Sequence, residues 1–170
     1  MTTQTINYGS TTTITLDLSS LATSSTFVSG IESAEIDNTT NKYVDVIVQS
    51  KGIVGHASTA PTVGQMITVY VWGSDTSLAT TALDTLDGTS STETLSHISV
   101  LNSLRFASAP TVTVATAALS YYVLPFSVAA LFGGVMPKYW GLFVAHNHTG
   151  ALGSSNNNLF TYTGVKLDAA

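Results

Sequence analysis

The stretch GQMITVYVWGS, residues 64–74, decides the fold class. Ile67, Val69 and Val71 alternate with Met66, Thr68, Tyr70 and Trp72. Side chains in a strand point to opposite faces in turn, whereas a helix repeats every 3.6 residues. The pattern therefore predicts a strand with one aliphatic face and one mixed, aromatic face. The same period recurs in TTTITLDL (11–18), where Ile14, Leu16 and Leu18 oppose Thr13, Thr15 and Asp17. It recurs again in NKYVDVIVQS (41–50), with Val44, Val46 and Val48 on one face and Tyr43, Asp45, Ile47 and Gln49 on the other. NLFTYTGVKL (158–167) sets Leu159, Thr161, Thr163, Val165 and Leu167 against Phe160, Tyr162, Gly164 and Lys166. SLRFASA (103–109) and PTVTVATA (110–117) predict shorter strands, and KYWGLFVAHN (138–147) is apolar on both faces, as a central strand is.

Helical signal is small. One short turn is expected within SLATSSTFVSGIESAEI (20–36). One or two turns are expected within PFSVAALFGG (125–134), with Ser127 as N-cap and Gly133-Gly134 as the stop. Parallel βαβ units need long helical crossovers, which this chain lacks. The expected architecture is all-β: an antiparallel β-sandwich, jelly-roll-like, of about eight strands. Residues 1–13 are expected to form an N-terminal arm, and residues 14–170 a single sandwich domain. The polar loops are 73–96, with Asp75, Asp84, Asp87 and Glu93 and no basic residue, and 149–158. A connection as long as the first is expected to be functional or mobile.

Composition narrows the function classes. Of 170 residues, 9% are charged, against about 25% in ordinary soluble domains, and 27 Thr and 21 Ser take the place of the ions. Such a surface approaches other proteins with few charges to desolvate. The five basic residues Lys42, Lys51, Arg105, Lys138 and Lys166 are scattered in a chain of net charge −5, which disfavours nucleic acid as a partner. There is no cysteine, hence neither disulfide nor thiolate chemistry. The opening residues show no pattern of a secretion signal. The apolar run 121–145 is broken by Pro125, Gly133-Gly134 and Pro137-Lys138, so buried strands are expected there rather than a membrane span.

Few residues invite chemistry. His146 and His148, two apart, would share a strand face and are the candidate metal ligands; a zinc site would need a third protein ligand. The reading of these residues is that the strand leaves the core at His146-Asn147-His148 and no metal or cofactor is required. Asp84 and Asp87 in DTLDG read as a solvated turn, since the twelve-position calcium-loop pattern is not met. No G-x-S-x-G elbow and no phosphate-binding glycine loop occurs, and no enzyme activity is expected. Tyr8, Trp72, Tyr121, Tyr122, Tyr139 and Trp140 are the interface candidates, because interfaces favour large aromatics. The tryptophans and their neighbours are also weighed as sugar-stacking platforms and as plain core residues.

The segment LPFSVAALFGGVMPKYWGLFVAHNHTGALGSSNNNLFTYTGVKL (124–167) resembles the C-terminal part of a family of small structural proteins of tailed-bacteriophage virions. The matching residues are Pro137, Lys138, Trp140 and Gly141, then Asn147, Thr149 and Gly150; DNTTNKYVDVIVQSK (37–51) is similar to an earlier block. The resemblance implies a virion protein, a capsid decoration (cement) protein that bridges and stabilises capsomers on the capsid surface after synthesis in the bacterial cytoplasm. Its implied partners are the major capsid protein and its own copies, as a homotrimer, with no nucleic acid and no membrane. A tail- or fibre-associated protein and a carbohydrate-binding module are the alternative expectations. The arm is expected to add a strand to a neighbouring subunit.

Overall fold

A computed structural model describes residues 4–169 of the chain. In chain order the strands are β1 (Gln4–Thr13), β2 (Ser29–Glu32), β3 (Ile36–Asp37), β4 (Asp45–Ser50), β5 (Ile53–Val54), β6 (Ile67–Ser74), β7 (Thr92–Thr94) and β8 (Arg105–Ser108). They continue with β9 (Ser120–Tyr121), β10 (Phe126–Ser127), β11 (Tyr139–His146) and β12 (Phe160–Ala169). A 3-10 helix (Ile98–Ser103) precedes β8, and the short α1 (Val128–Leu131) follows β10.

Every strand pairing is antiparallel. One sheet has the order β1-β12-β4-β10; the other runs β7-β2-β11-β6-β8, with β3 also on β11. β5 and β9 form a separate pair. The pairings nest: β1 lies on β12, β2 on β11, β4 on β10 and β6 on β8. The alternating sequence explains the layers. Val46 and Val48 of β4, Phe160 and Tyr162 of β12, Ile67, Val69 and Val71 of β6, and Trp140, Leu142 and Val144 of β11 share one buried cluster between the sheets. The Trp140 and Tyr162 rings meet edge to face across it, 5.5 Å between centroids.

Residues 13–18 keep the expected alternation, with Ile14, Leu16 and Leu18 buried, although only bridge-like pairing holds them: Ile14 N donates to Phe160 O and Leu18 N to Asn156 O, each at 2.9 Å. The cap of α1 is also where the sequence puts it. Ser127 Oγ accepts from Ala130 N, and Gly133 and Gly134 take φ of 72° and 91°. The Asp45 carboxylate adds to the cap by accepting from Ser127 Oγ and, at 3.0 Å, from Ala129 N.

Four expectations are corrected. Among the described residues twelve strands stand where about eight were expected, because four of them (β3, β5, β9 and β10) are two-residue pairings that no periodicity reveals. Residues 20–36 do hold a short turn, Phe27 N donating to Ser24 O at 3.1 Å, but with φ of 59° at Phe27 it is not helical, and β2 and the start of β3 follow it. Residues 110–117 form no strand; Thr111 makes one isolated bridge to Met66, and Val114 faces solvent. Residues 4–13 of the expected free arm are the edge strand β1 of the chain's own sheet, because β12 supplies a matching antiparallel partner from Gln4↔Ala169 to Thr13↔Thr161. Residues 1–3 of that arm lie outside the described residues.

Candidate functional site

β11 carries His146 to the far end of the core, and its ladder with β6 continues one residue further: Asn147 N donates to Met66 O and Asn147 Oδ1 accepts from Met66 N at 2.7 Å. The chain therefore does not leave the core here. His146 and His148 are buried, which corrects the expectation that they mark its exit. They do face each other, with ring centroids 5.5 Å apart. His146 Nε2 lies 2.9 Å from Leu21 O, and its Nδ1 accepts from His148 N at 3.1 Å. A carbonyl can only accept and an amide N–H only donate, so this imidazole is the neutral Nε2–H tautomer with both nitrogens engaged. Burial lowers its pKa, opposed by its backbone hydrogen bonds.

The His148 ring lies edge-on to Tyr121 of β9 at 4.8 Å. Neither of its nitrogens, nor the Tyr121 hydroxyl, makes a hydrogen bond among the described residues. Burial, with a smaller contribution from the repulsion that a second protonated ring beside His146 would meet, pulls the His148 pKa down to about 4, and burial pushes the Tyr121 phenol up. Both rings are thus neutral at pH 7. Among the described residues no third His, Cys, Asp or Glu joins them to form a metal-sized group, so the pair supplies at most the two nitrogens of His148.

The aromatic candidates divide. Trp72 and Trp140 are both 0% exposed and Tyr121 is buried; this corrects their reading as interface anchors or sugar platforms, because neighbouring strands occupy their faces. The Trp72 indole covers Gly141, where a Cβ would sit 2.5 Å from the ring and 2.8 Å from Ser33 Oγ. Tyr139 is half-buried. Tyr8 and Tyr122, each 67% exposed, remain available to a partner.

The loop 73–96 is neither loose nor simply solvated. Leu78, Leu86 and Leu95 fold back with Leu104 onto Trp72, Phe143 and Ala145, forming a second buried cluster on the outer face of the β6–β11 sheet. Two carboxylates that the sequence analysis did not single out brace it. The buried Glu32 accepts from Asp87 N and Gly88 N, both at 3.0 Å. Glu35 accepts from Ser77 Oγ and Leu78 N, both at 2.7 Å. Burial dominates at Glu32 and pushes its pKa up to about 7, against the two amide hydrogen bonds. The turn in DTLDG matches its expectation: Asp87 Oδ1 accepts from Thr89 N at 2.9 Å, Asp84 Oδ2 accepts from Ser96 N at 2.7 Å, and both carboxyls are held below their ordinary range by these partners. The short strand SGIE gives no sequence signal for the burial of Glu32, which is costly for a carboxylate unless it is hydrogen-bonded.

An open cleft of about 320 Å³ lies beside the end of β6, lined by Gly73, Ser74, Asp75, Phe132, Val135, Met136 and Pro137. The Arg105 guanidinium sits 5.8 Å from the Phe132 ring centroid. Gly73 is required by this packing, since a Cβ there would come within 2.6 Å of Pro137 and 2.7 Å of Phe132. No helix among the described residues is long and apolar enough to cross a membrane. Compared with protein-family models, curated proteins and solved structures, the chain finds no match.

Proposed function

We propose that this chain is a structural virion protein of a tailed bacteriophage, a capsid decoration protein that binds the outside of the head and holds capsomers together. The observation that carries this reading is the nesting of its strands, first on last through to β6 on β8. A long antiparallel hairpin rolled into two sheets is the wiring of the jelly roll, the fold of many viral capsid domains. The resemblance of residues 37–51 and 124–167 to phage virion proteins points the same way. So does the sparse charge of a chain with 9% charged residues, which suits docking on a protein lattice. Of the polar candidates, His146 and Glu32 spend their hydrogen bonds on the backbone.

The test is co-sedimentation with purified empty heads and, separately, with tails of the phage that encodes the chain. Saturable binding to heads, with a rise in their resistance to heat, is expected, because a ligand of the assembled state stabilises it. Binding to tails alone would replace this reading with a tail-associated one. A second reading, a carbohydrate-binding module, draws on the cleft, which Phe132 and Asp75 both line; lectins share the jelly roll. Retention on a polysaccharide column that is lost in Phe132→Ala would favour it.

A further inference from the structure

We propose that the free edge of β1 pairs with β1 of a second copy of this chain, antiparallel about a two-fold axis at Ile6. β1 ends its sheet, and among the described residues only β12 pairs with it. It is ten residues long, whereas the other ends of the two main sheets, β10, β7 and β8, have two, three and four residues. A long edge presents unpaired N–H and C=O groups that template another strand, and proteins usually blunt it with lysine or proline. β1, QTINYGSTTT, has neither, and no carboxylate; its one blunting device, the bulge at Gly9 and Ser10, lies outside residues 4–8.

The segment past the bulge at Gly9 and Ser10 is where this matters. Asp45 is the last residue of β4 to pair with β12, opposite Val165. Residues 4–7 and 166–169 therefore run on past β4 as a two-stranded ribbon, a unit that is marginal in water on its own. Ile6 (62% exposed) lies opposite Leu167 (48%), and Tyr8 (67%) opposite Val165, so one face of the ribbon is an uncovered apolar row.

Charge and symmetry select the occupant. A two-fold at Ile6 aligns Leu167, Ile6, Ile6 and Leu167 across four strands, and brings Gln4 opposite Tyr8 of the other copy. On the opposite face the row reads Asp168, Thr5, Asn7, Lys166, so carboxylate and ammonium stand at opposite ends and no like charges meet. The edge itself is neutral although the chain carries net charge −5. Pairing with a short edge of another copy would leave most of β1 bare. Five residues per copy make a contact below the standard interface size, so the dimer is weak in dilute solution, with a dissociation constant on the order of 100 µM. Such a contact adds to binding when copies are already held side by side on a lattice.

The test uses the isolated full-length chain. Sedimentation equilibrium up to about 1 mM should show a reversible species of twice 17.7 kDa. Ile6→Lys places like charges directly opposite and should raise the dissociation constant at least about tenfold. Tyr8→Lys is the second variant, and both side chains are exposed enough to leave circular dichroism unchanged. A short bismaleimide should cross-link Ile6→Cys well above Phe106→Cys, an exposed control on β8. A monomer at every concentration, equal cross-linking at the two positions, or lysine variants that associate like wild type would each overturn the proposal. None of these readouts involves heads, so the failure of edge pairing and the failure of capsid binding are distinguished.

Discussion

Replacing Glu32 by glutamine gives a prediction with a sign that intuition gets wrong. Glu32 is fully buried and holds Asp87 N and Gly88 N at 3.0 Å, so its removal looks destabilising. Yet burial lifts its pKa from 4.5 to about 7. Between those values the unfolded chain loses this proton and the folded chain keeps it, so stability falls as pH rises from about 4.5 to about 7, and is flat above. At about 1.36 kcal/mol per unit, that loss is about 3 kcal/mol. A glutamine side chain does not ionise, and its carbonyl still accepts from one of the two amides. Near pH 4, E32Q and wild type should be equally stable within about 1 kcal/mol, the size of one net hydrogen bond. Near pH 8, E32Q should be the more stable by about 2–3 kcal/mol. The assay is urea unfolding from pH 4 to 8, followed by the fluorescence of the buried Trp72 and Trp140, with the slope on urea checked for constancy. The difference between the two proteins matters, because histidines oppose the trend in wild type itself. A difference that does not change with pH, or an E32Q protein that is the weaker one at pH 8, would refute the reasoning and make the ionised carboxylate the native brace.

His148 should act in the reverse sense. Its pKa falls from 6.5 to about 4, so the unfolded chain takes up the proton first and stability is lost as pH drops from 6.5 towards 4; His148→Phe should remove up to about 3 kcal/mol of that acid sensitivity, read by the same titration. Gly141→Ala should cost about 1–3 kcal/mol in chemical denaturation, since its Cβ would overlap the Trp72 ring between packed strands. Leu86→Ala should cost about 2–5 kcal/mol and speed amide exchange in residues 75–96, because Leu86 is 0% exposed in the cluster that holds this loop down. Undiminished protection there would mean that the Glu32 and Glu35 hydrogen bonds hold the loop without the leucine.

The parts of the fold legible in the sequence are those decided by neighbours a few residues apart. Ile14, Leu16 and Leu18 alternate with polar residues, and the structure buries those three. β11 reads as apolar on both faces and is buried on both, with Leu142 in one cluster and Phe143 in the other. Ser127 and Gly133-Gly134 bracket α1 by local capping chemistry. The illegible parts depend on distant partners. Buried His146 is satisfied by Leu21 O, 125 residues away, which accepts a hydrogen bond from its Nε2–H. Glu32 reads as a polar interruption until Asp87 and Gly88 arrive from a loop 55 residues on. PTVTVATA alternates as well as any strand, yet its backbone bonds a neighbouring segment only from Pro110 to Val112, around the Thr111 bridge. The aromatics show the same limit: Trp72 and Tyr122 are both large aromatics among apolar neighbours, and only the sheet that covers Trp72 separates a core ring from one that is 67% exposed.

Capsid docking is tested most directly by a cryo-electron-microscopy map of purified empty heads incubated with this chain and compared with untreated heads. Added density on the outer surface at the junctions between capsomers, into which the two-sheet fold fits, is the expected result. Heads identical in the two maps at saturating protein, or density confined to the tail vertex, would contradict it.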